Sequence, residues 1–353
     1  MPDWTKSMQQ TFEYYEVDPA TWSDKRRLEF IKSCNIVRDS SNDTLGSASI
    51  NTAEELGEMY IRAYLVTIQN KVTDRIVLGT HLYQTTTNNS DGKVKSIGLD
   101  GYTPLIELKE SMPPIGYSIA ANTRVLSSAS RIAAEHARAP VVSGNSSDTL
   151  EYSFVSDIDD TWFSYLSDFI AGISYHFDLD PIGRILFAPD QDFNSLQPVW
   201  TYTDDNSSIL YPDIDIDRDL YGIPNVVEVV YSKSDGLTLF SRVVNDDPNS
   251  PISTVNRGRE VVSRITDPKI TGEPTQYILD AYARQALRNA STLEHTLKYS
   301  HGYCPVRLGD CVLLNYDRAG LNGVKAKVIR QSINCETGCR VEETAVYTTN
   351  LWG

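Results

Sequence analysis

The sequence predicts an α+β protein, mainly β, in which two antiparallel β regions flank a small helical insert. Three observations carry this. Segments with the two-residue alternation of half-buried strands fill residues 1 to about 100 and return from about residue 210. Between them the apolar residues recur at three- and four-residue spacing, the mark of amphipathic helices. Clusters of Pro, Gly, Asn and Asp punctuate the chain where one pattern gives way to another. The boundaries this implies are 1–104 for the first β region, 105–209 for the α+β insert, and 210–353 for the second β region with one helix at about 275–290.

In the first region, aromatic and β-branched segments at 12–17, 28–37, 60–66, 75–78 and 94–99 read as strands. Turn signals separate them: Asp18-Pro19, Ser40-Ser41-Asn42-Asp43 and Asn88-Asn89-Ser90-Asp91-Gly92. In the insert, Thr103 is expected to cap a short helix with Pro104 at its first position. A second helix should run from a Thr123 cap, with Val125, Ala129, Ile132, Ala133 and His136 on one face, and stop before Pro140. A third should start near Asp159 and Asp160, whose carboxylates suit a helix N-terminus, and bury Trp162, Tyr165, Leu166, Phe169, Ile170 and Ile173. A hairpin follows, turning at Asp180-Pro181-Ile182-Gly183.

In the second region, strands at 226–231 and 237–244 flank the turn Ser232-Lys233-Ser234-Asp235-Gly236. A helix after Pro274 carries Leu279, Ala283, Leu287 and Ala290 in register. Strands at 311–316, 324–329 and 340–347 close the chain as a small barrel or sandwich. Val324, Ala326 and Val328 point to one side there, and Lys325 and Lys327 to the other.

The composition is that of a soluble globular protein, and its 353 residues allow a large core. No apolar run approaches the roughly 20 residues needed to span a bilayer, and the first residues show no secretory signal. Synthesis and folding in the cytoplasm are therefore expected. With 32 basic against 47 acidic residues the formal net charge is -15. That argues against nucleic-acid binding through phosphate contacts, which needs a basic footprint.

Four of the five cysteines lie in the last 50 residues. Cys335 and Cys339 bracket Glu336-Thr337-Gly338, a three-residue loop that would bring them within bonding distance. Free thiols, a Cys335–Cys339 cystine and a zinc site stay open, although Cys304 and Cys311 are spaced too widely for the usual zinc pattern. The run Asp213-Ile214-Asp215-Ile216-Asp217-Arg218-Asp219 offers alternating carboxylates for calcium, or a strand edge with Ile inward. It lacks the glycine and distal glutamate of a calcium loop. Asp157, Asp159 and Asp160 could pair for glycoside hydrolysis, but capping a helix explains them more simply. His81, His136, His176, His295 and His301 are scattered, with none at ligand spacing. No nucleophile elbow, phosphate loop or Cys/His dyad is present, so no enzyme, cofactor or metal is expected.

Three motifs in order resemble the baseplate hub proteins of contractile-tailed bacteriophages and related tail-like injection particles. They are Gly101-Tyr102-Thr103-Pro104-Leu105-Ile106-Glu107-Leu108, the stretch from Asp180 through Gly183-Arg184-Ile185-Leu186-Phe187-Ala188 to Pro189, and Pro305-Val306-Arg307-Leu308-Gly309-Asp310 followed by Lys325-Ala326-Lys327-Val328-Ile329-Arg330-Gln331. The resemblance implies two tube-type antiparallel β-barrel domains per subunit with the helical unit outside them. It also implies a homotrimeric ring, assembled in the host cytoplasm and carried in the virion's tail baseplate. Such a ring adapts a six-fold tail tube to a three-fold central spike, contacts other baseplate proteins, and lets phage DNA through without specific binding. An acidic wall suits such a channel. The cysteine group departs from the family pattern, and oxidation to a Cys335–Cys339 cystine once the virion leaves the cell would account for it. The competing reading is a carbohydrate- or calcium-binding β protein of a receptor-binding device. A wall-degrading enzyme is a third, with no segment left over to supply it.

Overall fold

The computed structural model describes residues 2–90, 95–232, 238–268 and 275–352. The elements run β1 (Gln9–Asp18), β2 (Ser23–Arg27), β3 (Ile31–Asp39), β4 (Gly46–Thr52), β5 (Met59–Gln69), β6 (Val72–Ser90) and β7 (Lys95–Tyr102). Next come α1 (Ile106–Glu110), β8 (Ser118–Ile119), α2 (Val125–His136), β9 (Phe154–Val155), α3 (Trp162–Ala171), β10 (Tyr175–Leu179) and β11 (Ile185–Pro189). The remainder is β12 (Trp200–Thr203), β13 (Leu210–Arg218), β14 (Val226–Ser232), β15 (Thr238–Val244), α4 (Thr254–Arg257), β16 (Val262–Thr266), α5 (Gln276–Ala290), β17 (Thr292–Gly302), β18 (Cys311–Tyr316), β19 (Leu321–Asn334) and β20 (Arg340–Asn350). The chain is mainly β, as its alternation predicts. The turns expected at 88–92 and 232–236, and the Pro274 helix start, fall wholly or partly outside the described residues.

Contacts divide the chain into two compact units, residues 1–214 with 299–344, and residues 215–298 with 345–353. In the first unit the strands follow the order β20-β19-β3-β4-β7-β6-β5-β1-β2, with β18 beside β19 and β12 parallel to β18. β19 makes this continuity. Its first half, 321–327, pairs with β18, and its end, 330–334, pairs antiparallel with residues 35–39 of β3. The closing strands therefore do not curl back on themselves. None of the sheets closes, so neither β region is a closed barrel within the described residues.

The helices pack as the three- and four-residue spacing predicts. Val125, Ala129, Ile132 and Ala133 of α2 are buried with Trp162, Tyr165, Leu166, Phe169 and Ile170 of α3 in one apolar cluster, which also takes in Phe177 and Phe187 of the β10–β11 hairpin. The caps differ from expectation. Thr103 does not cap α1, because its buried hydroxyl donates to the Thr44 carbonyl at 2.5 Å. Thr123 does not cap α2 either; the Val125 amide donates to the Asp148 carbonyl instead. α3 starts two residues past Asp160, on a Thr161–Ser164 capping box, and Asp160 accepts from the Ser164 hydroxyl.

The hairpin turn is anchored to the sheet through the Ile182 carbonyl. It accepts from Trp22 Nε1 at 2.7 Å, Thr80 Oγ1 at 3.0 Å and Arg62 Nη2 at 3.3 Å. Arg62 is buried and paired with Asp24 at 2.9 Å. Gly183 completes this turn with φ +79, and a Cβ there would meet Thr80 Cβ at 2.9 Å. The second unit is smaller. Its three-stranded sheet, β15-β14-β16, packs Val227 and Val229 against Leu279, Ala283 and Leu287 of α5. Thr275 caps that helix by accepting from the Ile278 amide.

The Gly183→Ala variant should lose about 1–3 kcal/mol of stability, from left-handed backbone strain and the clash with Thr80. Denaturant unfolding checks this, and an unchanged midpoint would mean the turn is not held against β6.

Candidate functional site

β20 alternates strictly, with Val341, Glu343 and Ala345 facing inward. The pattern thus drives a carboxylate into the core of the first unit, where Glu343 is 1% exposed. Charge buried this way has to be paired and hydrogen-bonded. Glu343 Oε1 accepts from the Tyr299 hydroxyl at 2.5 Å and the Tyr202 hydroxyl at 3.2 Å. Glu343 Oε2 accepts from Gln331 Nε2 at 2.6 Å and lies 3.4 Å from His301 Nε2. His301, 0% exposed, also sets its Nε2 3.0 Å from the Tyr202 hydroxyl and its Nδ1 2.7 Å from the Gly302 carbonyl. Gln331 extends the network to β3, where its Oε1 accepts from Arg38 Nη1 at 2.9 Å.

Burial by itself disfavours the imidazolium, but hydrogen bonds to Cys304 and Glu343 outweigh it and hold His301 up at about 10. Burial likewise disfavours the Glu343 carboxylate, yet His301, Tyr299 and Gln331 bring it below its ordinary value. Near neutral pH the centre is a charged pair inside a shell of donors. A cavity of about 200 Å³ lies elsewhere in this unit, lined in part by Arg38, Thr80, His81, Asp180, Arg307 and Asp310. Three of its polar groups are engaged: Arg38 also donates to the Leu78 carbonyl, Asp180 binds Arg184, and Asp310 accepts from the Arg307 amide. Burial and the Arg38 cation push His81 down to about 3, so it is neutral.

The other sequence candidates stay apart. β13 is a strand with Asp213, Asp215 and Asp217 exposed, Ile214 half-buried and Ile216 37% exposed, so only one isoleucine turns partly inward. Asp217 pairs with Lys298 at 2.6 Å. Among the described residues no cluster of His, Cys, Asp and Glu is arranged to hold a metal. Asp160 accepts from the Asp157 amide, a local turn bond. His136 stacks on Trp162, His176 sits 2.7 Å from Asp190, and in the second unit His295 stacks on Tyr347. All five cysteines are buried thiols. Cys335 and Cys339 flank the β19–β20 turn, with Gly338 in the left-handed region. Sequence reading missed the Glu343 centre. Its signal was a glutamate at the inward parity of an otherwise apolar strand face.

Glu343→Gln leaves the His301 charge unpaired and should cost about 3–5 kcal/mol. In the unsubstituted chain the His301 contribution is full below its ordinary pKa of 6.5 and declines with rising pH until it is gone above about 10. The Glu343 contribution is present above its ordinary value of 4.5 and is lost as pH falls through its lower folded value. Unfolding midpoints measured across pH should show both limbs, and Glu343→Gln should flatten them. An unchanged alkaline limb in that variant would contradict the pairing.

No protein-family model matches the chain, and no curated protein matches it in sequence. Its fold, by contrast, is found in solved structures of tail proteins. The tail protein from Neisseria meningitidis MC58 matches with a TM-score of 0.63 at 14% identity, covering 98% of each chain. The 43 kDa tail protein of prophage MuSo2 from Shewanella oneidensis matches with a TM-score of 0.61 at 11% identity, over 95% of this chain and 98% of the other. In a Francisella PdpA–VgrG complex, one chain matches with a TM-score of 0.56 at 8% identity, over 97% of this chain and 58% of that one. This fold is thus shared with the two tail proteins along nearly the whole chain.

Proposed function

We propose that this protein is a structural component of a phage tail baseplate, acting as the hub between tail tube and central spike. One observation carries the reading: two tail proteins share its fold over at least 95% of both chains. The polar groups grouped in the interior support a non-enzymatic role, because they are engaged with one another. A general base needs reach to a substrate proton, and Glu343 is sealed from solvent.

In this reading residues 1–104 and 210–353 form the two tube-type β domains, and the insert at 105–209 lies outside them. The open sheet of one chain would be completed by its neighbours, three subunits forming a ring that matches a six-fold tube to a three-fold spike. The likeness to a chain in a complex containing VgrG supports contact with spike and other baseplate proteins. A net charge of -15 favours passage of DNA without binding, since like charge repels the phosphates. The site of action is the virion tail, after assembly in the host cytoplasm.

Electron microscopy and mass measurement of the purified protein test this. Rings of three 39.5 kDa chains around an opening, on their own or with the spike protein added, are expected. A monomer that gains stability only with calcium or a sugar would support a receptor-binding device instead.

A further inference from the structure

We propose that Cys34 and Cys335 are a latent cystine, which on oxidation ties β3 to the turn after β19. Backbone register sets the two thiols opposite each other, whatever the protein's role in a tail. β3 and β19 pair as Ile36 with Ile333 and Asn35 with Asn334. The next position outward sets Cys34 against Cys335, and the Cys335 amide donates to the Cys34 carbonyl at 3.0 Å. Directly opposed residues of an antiparallel pair have Cα atoms roughly 4.5–5.5 Å apart. A disulfide spans roughly 4.4–6.8 Å. Both side chains are on the buried side, 2% and 5% exposed.

The other three cysteines are placed differently. Cys339 stands at the far end of the same turn as Cys335, with φ 38, and its amide donates to the Glu336 carbonyl. Cys304 Sγ lies 3.4 Å from the Tyr202 hydroxyl, in the Glu343 network. Cys311 Sγ is directed to the Val312 carbonyl. Cys335, one residue past the end of β19, is set opposite Cys34 by its amide bond to the Cys34 carbonyl, a placement that the length of the 335–339 loop does not reveal.

Oxidised glutathione is a sufficient oxidant. The Cys335 thiolate attacks one glutathione sulfur and expels a glutathione thiolate. Cys34 then attacks the mixed disulfide and expels the second, so the protein loses two hydrogens and two reduced glutathiones form. The Cys34 thiol and burial hold the Cys335 thiol well above its ordinary pKa. Exchange therefore proceeds through opening of the 335–339 turn and quickens as pH rises. The product joins two strands that lie near opposite ends of the chain.

The test is to incubate the folded full-length protein with oxidised glutathione at mildly alkaline pH, alkylate it in denaturant, digest it without reduction, and map the peptides by mass spectrometry. One linked pair containing Cys34 and Cys335 is expected, with Cys304, Cys311 and Cys339 alkylated and a higher unfolding temperature than the reduced protein. Cys339→Ser should keep the link, and Cys335→Ser should abolish it. If Cys335→Ser fails to fold, the map of the unsubstituted chain decides alone. A Cys335–Cys339 pair, or five alkylated cysteines, would overturn the proposal.

Discussion

One strand pairing organises this molecule. The end of β19 lies antiparallel to β3, so residues near the two ends of the chain share a ladder and the strands β1–β7 join the closing strands β18–β20 in one sheet. Ladder bonds of such sequence separation form only after a long loop has been closed. Here the pairing is reinforced by side chains on both strands. Arg38 on β3 donates to Gln331 on β19, and Gln331 donates on to Glu343 on β20. Three strands are thus joined by polar groups as well as by backbone.

This centre is costly to bury. An ion pair in a core is often no more stabilising than apolar residues of the same volume, but it tolerates only one arrangement of its partners. Two tyrosines, a glutamine and a histidine converge on the two oxygens of Glu343. A one-residue slip of β19 would turn Gln331 out of this network and place Ser332 at its position. The network therefore specifies register.

Much of the fold was legible in the sequence, for reasons that differ by element. α2, α3 and α5 could be read because their apolar residues recur at helical spacing over three turns. The β10–β11 hairpin could be read because Asp180-Pro181-Ile182-Gly183 needs a left-handed glycine. β4 was missed because Gly46, Ser47, Ala48 and Ser49 carry no strand signal; the strand exists through its pairing with β3 and β7. The capping roles given to Thr103 and Thr123 failed because tertiary partners took over. Thr103 is drawn to the Thr44 carbonyl, and the start of α2 is satisfied by the backbone at Asp148. The sheets stay open among the described residues for the same kind of reason, since nothing local in β19 announces that its second half will pair with β3. The cysteines were noticed for their spacing, yet the thiol opposite Cys335 lies at the far end of the chain.

The account stands on the β3–β19 ladder, and hydrogen exchange followed amide by amide tests it most directly. The amides of residues 35–39 and 330–334 should be among the slowest in the protein and should open together, at a rate that rises in Glu343→Gln. Exchange at those positions as fast as in the edge strand β2, or independent opening of the two strands, would contradict the claim that this pairing holds β1–β7 and β18–β20 as one sheet.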